Sequence, residues 1–594
     1  MEKHKPQNLL LTLACAVAHL GCMYVLFLYF LALTPDSDYL GLLTAYVHKA
    51  RSLFYQFHGF RALVVVGVAV TGALTVRGLL QILENRDLTS KVLGWVSPGL
   101  FVYAVVLALG YVVRPNYIEP GESHVTMLSL LLTEGKPIYS PEDNADLANT
   151  WYGPVLFLVN AVFLFMIPDP ILATKLRGLV GLVVGLAVFY KLGQKHFGKP
   201  IAQAGLVHVV LSMFVALYFA VGNRADSLIL CLTLCASGAL MLKKDRTAMA
   251  VAAACIAGAV NSKVTAVAYM LPLAAYMVTS RGWKFTLRTT ALSIGLCLLP
   301  FLIVPLFPLH HYWSYVSLAT SNQFEAALLW ENIGIGLFLV LPLLFLVAVS
   351  FREGRVPGGG RPGILYAGST LAGVAMICLT ASKEGSGFYH LLGFVPGTGL
   401  LFMDMLSRCV GAVASSQVRS RAAVLTYGWL ASCLLLTLGG QLQMAYGFKL
   451  IGQPHPGQEV HQILADYPGH RIAMGYGEHD DYSDTRTFYR PLLFKTTKDN
   501  PMNTVSMLEL FCAEEEIPET ALVRFEDGTY DVFLIPRGGE PFTNSFFTGL
   551  GVTEAFIRVY ERVEVREYFE IWKYKGRQES VRGVSQRDPV KNAG

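Results

Sequence analysis

Charge is scarce in this chain. Only 15% of its 594 residues are Asp, Glu, Lys or Arg, against 53% hydrophobic, and the mean hydropathy is +0.46. An ordinary soluble domain carries about 25% charged residues, so the shortage excludes that class and makes the bilayer core the main solvent. A surplus of basic residues is also missing: the net charge of +5 is spread in small clusters between apolar runs, which excludes nucleic acid as a partner. Of ten cysteines, only Cys409 and Cys512 lie outside apolar runs, which leaves neither a disulfide framework nor a CxxC metal site. No Gly-rich phosphate cradle is present, and no repeat of fixed period or inverted pair of broken helices stands out.

What the chain has in quantity is membrane-length hydrophobic runs. A window of about 20 apolar residues places spans near 9–33, 61–84, 92–113, 171–192, 201–221, 226–243, 247–261, 264–280, 287–307, 333–350, 362–380, 391–407 and 421–441. The first run is too long for a signal-peptide core and reads as a retained helix. With the basic N-terminus inside, alternate loops read "ENRDLTSK", "YKLGQKHFGKP", "LKKDR", "SRGWKFTLR", "FREGRVPGGGRPG" and "SRCVGAVASSQVRSR". All are basic, as cytoplasmic loops should be. The apolar stretch 155–167 follows a Gly-Pro break and is too short to span, so an interfacial helix is expected there. After residue 441 charge becomes dense, and "VRFEDGTYDVFLIPRG" and "REYFEIWKYKG" alternate like strands. An odd number of spans puts that part outside the cell membrane, with the N-terminus cytoplasmic. The expected domains are 1–91, an N-terminal transmembrane extension, 92–441, the main transmembrane unit, and 442–594, an extracytoplasmic domain.

The opposite loops collect isolated ionisable residues: Glu119, Glu122 and His124 in "YIEPGESHVTM", Arg224 and Asp226 in "GNRAD", Lys263 in "NSK", and Lys383, Tyr389 and His390 in "SKEGSGFYH". Taken singly, each is explained by interfacial anchoring, and Asp226 by a helix N-terminus. Together they place proton-accepting carboxylates beside cations that can hold an anion. That inventory suits transfer of a group from a lipid phosphate, with a base activating an acceptor hydroxyl and cations stabilising the leaving phosphate. His310 and His311 read as amphipathic residues of an interface, and "GEHDDYSD" at 477–484 as a solvated loop without EF-hand spacing. His124 beside the two glutamates is too little to assign a metal.

The segment "GESHVTMLSLLLTEGKPIYSPEDNADLANTWYGPVLFLVNAVF" resembles the first outer loop of the GT-C glycosyltransferases, in the branch of protein mannosyltransferases and aminoarabinose transferases. "RADSLILCLTL", "NSKVTAVAYMLPL" and "SKEGSGFYHLLGFVP" are similar, in order, to further segments of that family, and "TFYRPLLF" and "EYFEIWKY" to the outer-domain ends of bacterial members. The resemblance implies an all-α polytopic membrane bundle of GT-C type, with about thirteen transmembrane helices and a small C-terminal α/β domain outside. It implies a glycosyltransferase of the inner (plasma) membrane that takes a sugar from a polyprenyl-phosphate donor and delivers it, with inversion, to a lipid, glycan or protein hydroxyl. By register Glu122 takes the place of the family's acid, with Glu119 as the alternative because the usual Asp-Glu pair is absent, and Asp226 as a further candidate. Arg224, Lys263, Lys383, Tyr389, His390, Tyr152 and His124 would line the substrate site. No cofactor is implied. The rival reading from the same charged cavity is a multi-span transporter or lipid flippase, which rim-placed charges and missing repeat symmetry disfavour.

Overall fold

The computed structural model describes residues 86–412 and 454–576, apart from 142–149, 214–215, 353–359, 384–385, 479–483, most of 500–526, and 544–551. The expected spans 9–33, 61–84 and 421–441 lie outside the described residues.

The first part is helical: α1 (Arg86–Val113), α2 (Pro120–Thr133), α3 (Pro154–Met166), α4 (Pro170–Phe197), α5 (Lys199–Met213), α6 (Leu217–Val221), α7 (Ala225–Leu240) and α8 (Asp245–Ser262). It continues through a 3-10 turn at Val264–Tyr269 into α9 (Met270–Arg281), α10 (Trp283–Leu298), α11 (Leu309–Ser321), α12 (Ala326–Arg352) and α13 (Gly360–Thr380). A second 3-10 turn at Phe388–Phe394 leads into α14 (Val395–Ala412). Among the described residues, five stretches are long and apolar enough to cross a membrane: Pro170–Phe197, Trp283–Leu302, Ala326–Leu344, Arg361–Thr380 and Phe388–Arg408. Their outward faces stay apolar, with Val180, Val184, Leu287, Ile294, Leu298 and Leu302 all exposed. Such a surface is stable only where lipid replaces water. At 13 residues, α3 is only about 20 Å long, short of the roughly 30 Å of a hydrocarbon core.

Proline and glycine set the helix ends. Pro120, Pro154 and Pro170 each stand in the first turn of a helix, where the missing N–H costs nothing. Asp169 caps α4 by accepting from the Ile171 and Leu172 amides at 2.8 and 3.0 Å. Along α4, Gly178, Gly181 and Gly185 share one face and meet the chain from Val221 to Leu234. A Cβ at Gly178 would run into the carbonyl oxygen of Val221. In lipid, where apolar burial drives little association, such close backbone approach is what holds helices together. Here it presses the middle of α4 against the end of α6 and the middle of α7.

The C-terminal part contains α15 (Pro456–Asp466), α16 (Arg490–Thr497), α17 (Val552–Val559) and the strands β1 (Ile472–Met474), β2 (Val532–Pro536), β3 (Tyr560–Val565) and β4 (Phe569–Tyr574). They form one sheet in the order β1-β2-β4-β3, with β1 parallel to β2 and the other pairs antiparallel. The two expected strand runs are β2 and β4, whereas β1 and β3 carry no comparable signal. Alternate residues of β2 enter different cores: Phe533 and Ile535 join Phe556 and Tyr560, while Val532 and Leu534 join Val460, Ile463 and Tyr117. That period-2 split buries both faces. Glu459 holds the β3–β4 turn by accepting from the amides of Glu567, Tyr568 and Phe569. Tyr117, just before α2, enters this second core and hydrogen-bonds Thr126 and Thr174 at 2.6 and 2.7 Å, so the sheet is seated over α2 and the start of α4.

Candidate active site

Five chain segments end at one place. Glu119 is the N-cap of α2, in extended conformation (φ −143°, ψ 160°) because Pro120 follows it. Arg224 caps α7 and Asp226 stands in its first turn. Lys263 ends α8, Tyr152 stands just before Gly153, the N-cap of α3, and Tyr389 and His390 lie on the 3-10 turn before α14.

The Arg224 guanidinium binds both carboxylate oxygens of Glu119 through Nη1 and reaches Asp226 Oδ2 through Nε at 3.2 Å. Lys263 Nζ lies 3.4 Å from Asp226 Oδ1 and 3.4 Å from His390 Nε2. The Tyr389 ring stacks on His390 and on Phe219, with centroids 4.7 and 4.4 Å apart, and covers Arg224 at 4.3 Å. Lys263 faces the rings of Tyr152 and Tyr389 at 5.6 and 5.7 Å. Two cations and two carboxylates therefore alternate in a chain flanked by aromatic rings. The side chains of Arg224, Asp226 and Lys263 are buried, whereas that of Glu119 remains 21% exposed. Burial raises the Glu119 carboxyl above the usual range against the pull of Arg224, and the nearby charges of Glu122 and Asp226 add to the rise.

Of the expected site residues, Glu119, Arg224, Asp226, Lys263, Tyr152, Tyr389 and His390 come together, and three do not join them. Glu122, favoured by register, is fully buried one turn further along α2. Its carboxylate accepts from the Tyr111 hydroxyl, from the Ile118 and Asn223 amides at 3.0 and 2.8 Å, and from the Tyr218 hydroxyl at 3.1 Å. Four donors saturate it, which makes it a hub beneath the site rather than an open acceptor. His124 is buried two residues further on, and residues two apart on a helix do not face the same way. Lys383 sends its ammonium to the carbonyl of Thr320.

Sequence reasoning passed over Lys175 and Arg177, which sit in the apolar run of α4 and are nonetheless buried. It also passed over Asn223, whose amide side chain donates to Glu122 O and Thr126 Oγ1 at 3.1 and 2.7 Å. For the two cations a signal was available, since ionisable residues inside a membrane run are costly and seldom kept without a use.

Gly153 brings Tyr152 to Lys263. The two residues form an isolated antiparallel bridge, and the Gly153 amide donates to Ser262 O at 3.1 Å. A Cβ at Gly153 would run into the carbonyl oxygen of Asn261. Gly153→Ala is expected to lower stability by about 1–3 kcal/mol, read by thermal unfolding. It should also separate Tyr152 from Lys263, and an unchanged melting temperature would count against the contact.

Comparison with known proteins follows the same geometry. Residues 152–308, about a quarter of the chain, match the model of the family described as dolichyl-phosphate-mannose-protein mannosyltransferase. That stretch begins at Tyr152 and holds Arg224, Asp226 and Lys263. Among solved structures, ArnT from Cupriavidus metallidurans bound to undecaprenyl phosphate is similar with a TM-score of 0.51 and 15% identity, over 81% of this chain and 98% of that one. The apo state of the same protein gives a TM-score of 0.48 and 14% identity, over 81% and 97%. No curated protein sequence matches significantly. The chain thus shares the fold of ArnT, matches the mannosyltransferase family model over the stretch that holds Arg224, Asp226 and Lys263, and is a multi-pass membrane protein by its long apolar helices.

Proposed function

We propose that this protein moves a sugar from a polyprenyl-phosphate carrier to an acceptor hydroxyl at the outer face of the inner membrane. The observation that carries the reading is the Glu119–Arg224–Asp226–Lys263 array, buried except for Glu119, which ends in His390 and is covered by Tyr389. The likeness to a transferase solved with undecaprenyl phosphate supports the class of carrier. In this reading Arg224 and Lys263 share their charge between the carboxylates and the carrier phosphate. A guanidinium has five donors and an ammonium three, more than Glu119 and Asp226 use. Asp226 keeps both cations in place, while Tyr152, Tyr389 and His390 form the wall against the sugar.

Glu119 is the base. The acceptor oxygen attacks the anomeric carbon, its proton passes to the Glu119 carboxylate, and the bond from that carbon to the phosphate oxygen breaks with its electron pair going to the phosphate. One displacement inverts the anomeric centre, and a phosphate leaving group needs little protonation, so a second acid is not required. We assign no cofactor. His124 and Lys383 take no part in this reading, and the acceptor is a hydroxyl of a lipid, glycan or protein. Residues 442–594 would lie outside the membrane beside this site, with 92–441 as the catalytic unit and 1–91 as an extension.

The test is transfer by purified protein in vesicles, supplied with a labelled pool of undecaprenyl-phosphate sugars. Wild-type protein is expected to remove label from the carrier, and Lys263→Ala to slow this about 10²–10³-fold. Label that stays on the carrier with wild-type protein would sink the proposal.

A further inference from the structure

α4 carries two buried cations that the reaction itself does not use. Lys175 Nζ donates to the carbonyls of Asn116, Arg114 and Tyr111 at 2.6, 2.7 and 3.4 Å, along the loop that delivers Glu119. Arg177 Nη2 donates to Asn223 Oδ1 at 3.1 Å and to the carbonyls of Gly222 and Arg224 at 3.3 Å each, along the turn that carries Arg224. Both are at most 3% exposed, and among the described residues neither forms an ion pair. A buried cation without a carboxylate partner is costly, yet one helix keeps two of them within three residues. Between the two loops stands Glu122, bonded to the Ile118 amide of the first and the Asn223 amide of the second. Gly178 allows the close approach that puts Arg177 within reach.

We infer that Lys175 and Arg177 are positioning residues: each prong of α4 grips the backbone of one loop, and together they set the spacing between Glu119 and Arg224. The inference rests on the reading in which that pair reacts. A carbonyl grip fixes backbone and leaves the reactive side chains free to meet substrate, which an ion pair to either of them would not do. Small errors in such spacing are costly, because catalytic geometry is lost over about 1 Å.

The test uses the full chain in lipid nanodiscs, with Lys175→Gln and Arg177→Gln. The proton affinity of Glu119 is read by the rate at which a carbodiimide labels it, followed by mass spectrometry from about pH 4 to about pH 8. Glu119 pairs with Arg224 and feels the charges of Glu122, Asp226 and Lys263, with the phenols of Tyr152, Tyr218 and Tyr389 nearby. Either variant loosens the hold of Arg224 on Glu119 and also removes a positive charge beside Glu122, so Arg177→Lys, which keeps that charge, separates position from charge. The labelling midpoint is expected to rise by about one pH unit, and kcat to fall about tenfold with KM changed less than about threefold. Arg177→Lys should recover part of both.

Folded variants that keep the wild-type midpoint would overturn the inference, since a merely structural role lowers the amount of folded protein without moving a titration. If the Gln variants do not fold, Arg177→Lys and Asn223→Ser are read by the same criterion. A midpoint that moves in a protein showing no sugar transfer would leave the clamp standing and remove the transferase reading.

Discussion

Glu119→Gln is expected to slow sugar transfer by about 10²–10⁴-fold, the range lost when a positioned general base is removed, while the protein stays folded. Glutamine keeps the size of the side chain and one oxygen for Arg224, and a partly exposed position tolerates the change. The stability cost should stay within about 2 kcal/mol. Wild-type activity carries its own check. The base must be ionised to accept a proton, and burial holds the Glu119 carboxyl above the usual range. Activity should therefore fall as pH drops through that raised value, giving an acid limb at higher pH than an unperturbed carboxylate would. An acid limb in the ordinary carboxylate range, or full activity in Glu119→Gln, would remove the residue from the mechanism.

Glu122→Leu should behave in the opposite manner. It strands the Tyr111 and Tyr218 hydroxyls and the Ile118 and Asn223 amides, all of which now donate to that carboxylate. Each buried donor left unmade costs about 1–3 kcal/mol, so the total should exceed about 3 kcal/mol and appear as a large drop in thermal stability or in yield of folded protein. Glu122→Gln should recover part of this, because one amide oxygen still accepts. The two carboxylates are thus separated by different measurements: rate at constant stability for Glu119, stability first for Glu122. A Glu122→Gln protein with wild-type melting and no transfer would reverse the assignment.

Much of this was legible in the residues themselves. Among the described residues, hydropathy marked the five stretches long and apolar enough to cross a membrane, because the cost of carrying unpaired backbone polar groups into hydrocarbon is paid locally, by length and composition. The Gly153-Pro154 break was legible because proline cannot continue a helix, and Arg224, Asp226, Lys263, Tyr389 and His390 were legible as isolated polar residues between apolar runs. The β2 and β4 runs showed as alternation, whereas β1, three residues long, and β3, mostly exposed, had no pattern to show.

What the chain by itself determined is therefore its solvent, its helices and the set of charged residues at their ends, since each follows from interactions within a turn or two. Only the tertiary structure decided how those charges divide the work. Glu119 and Glu122 lie three residues apart, and nothing local separates them. The convergence of α1, the loop before α2, α6 and the turn before α7 wraps one in four donors and leaves the other facing Arg224. The same packing turns Lys175 and Arg177 inward onto two loops more than a hundred residues apart in sequence. The partners of a buried charge are chosen by helices meeting in space, and no local pattern of residues encodes that meeting.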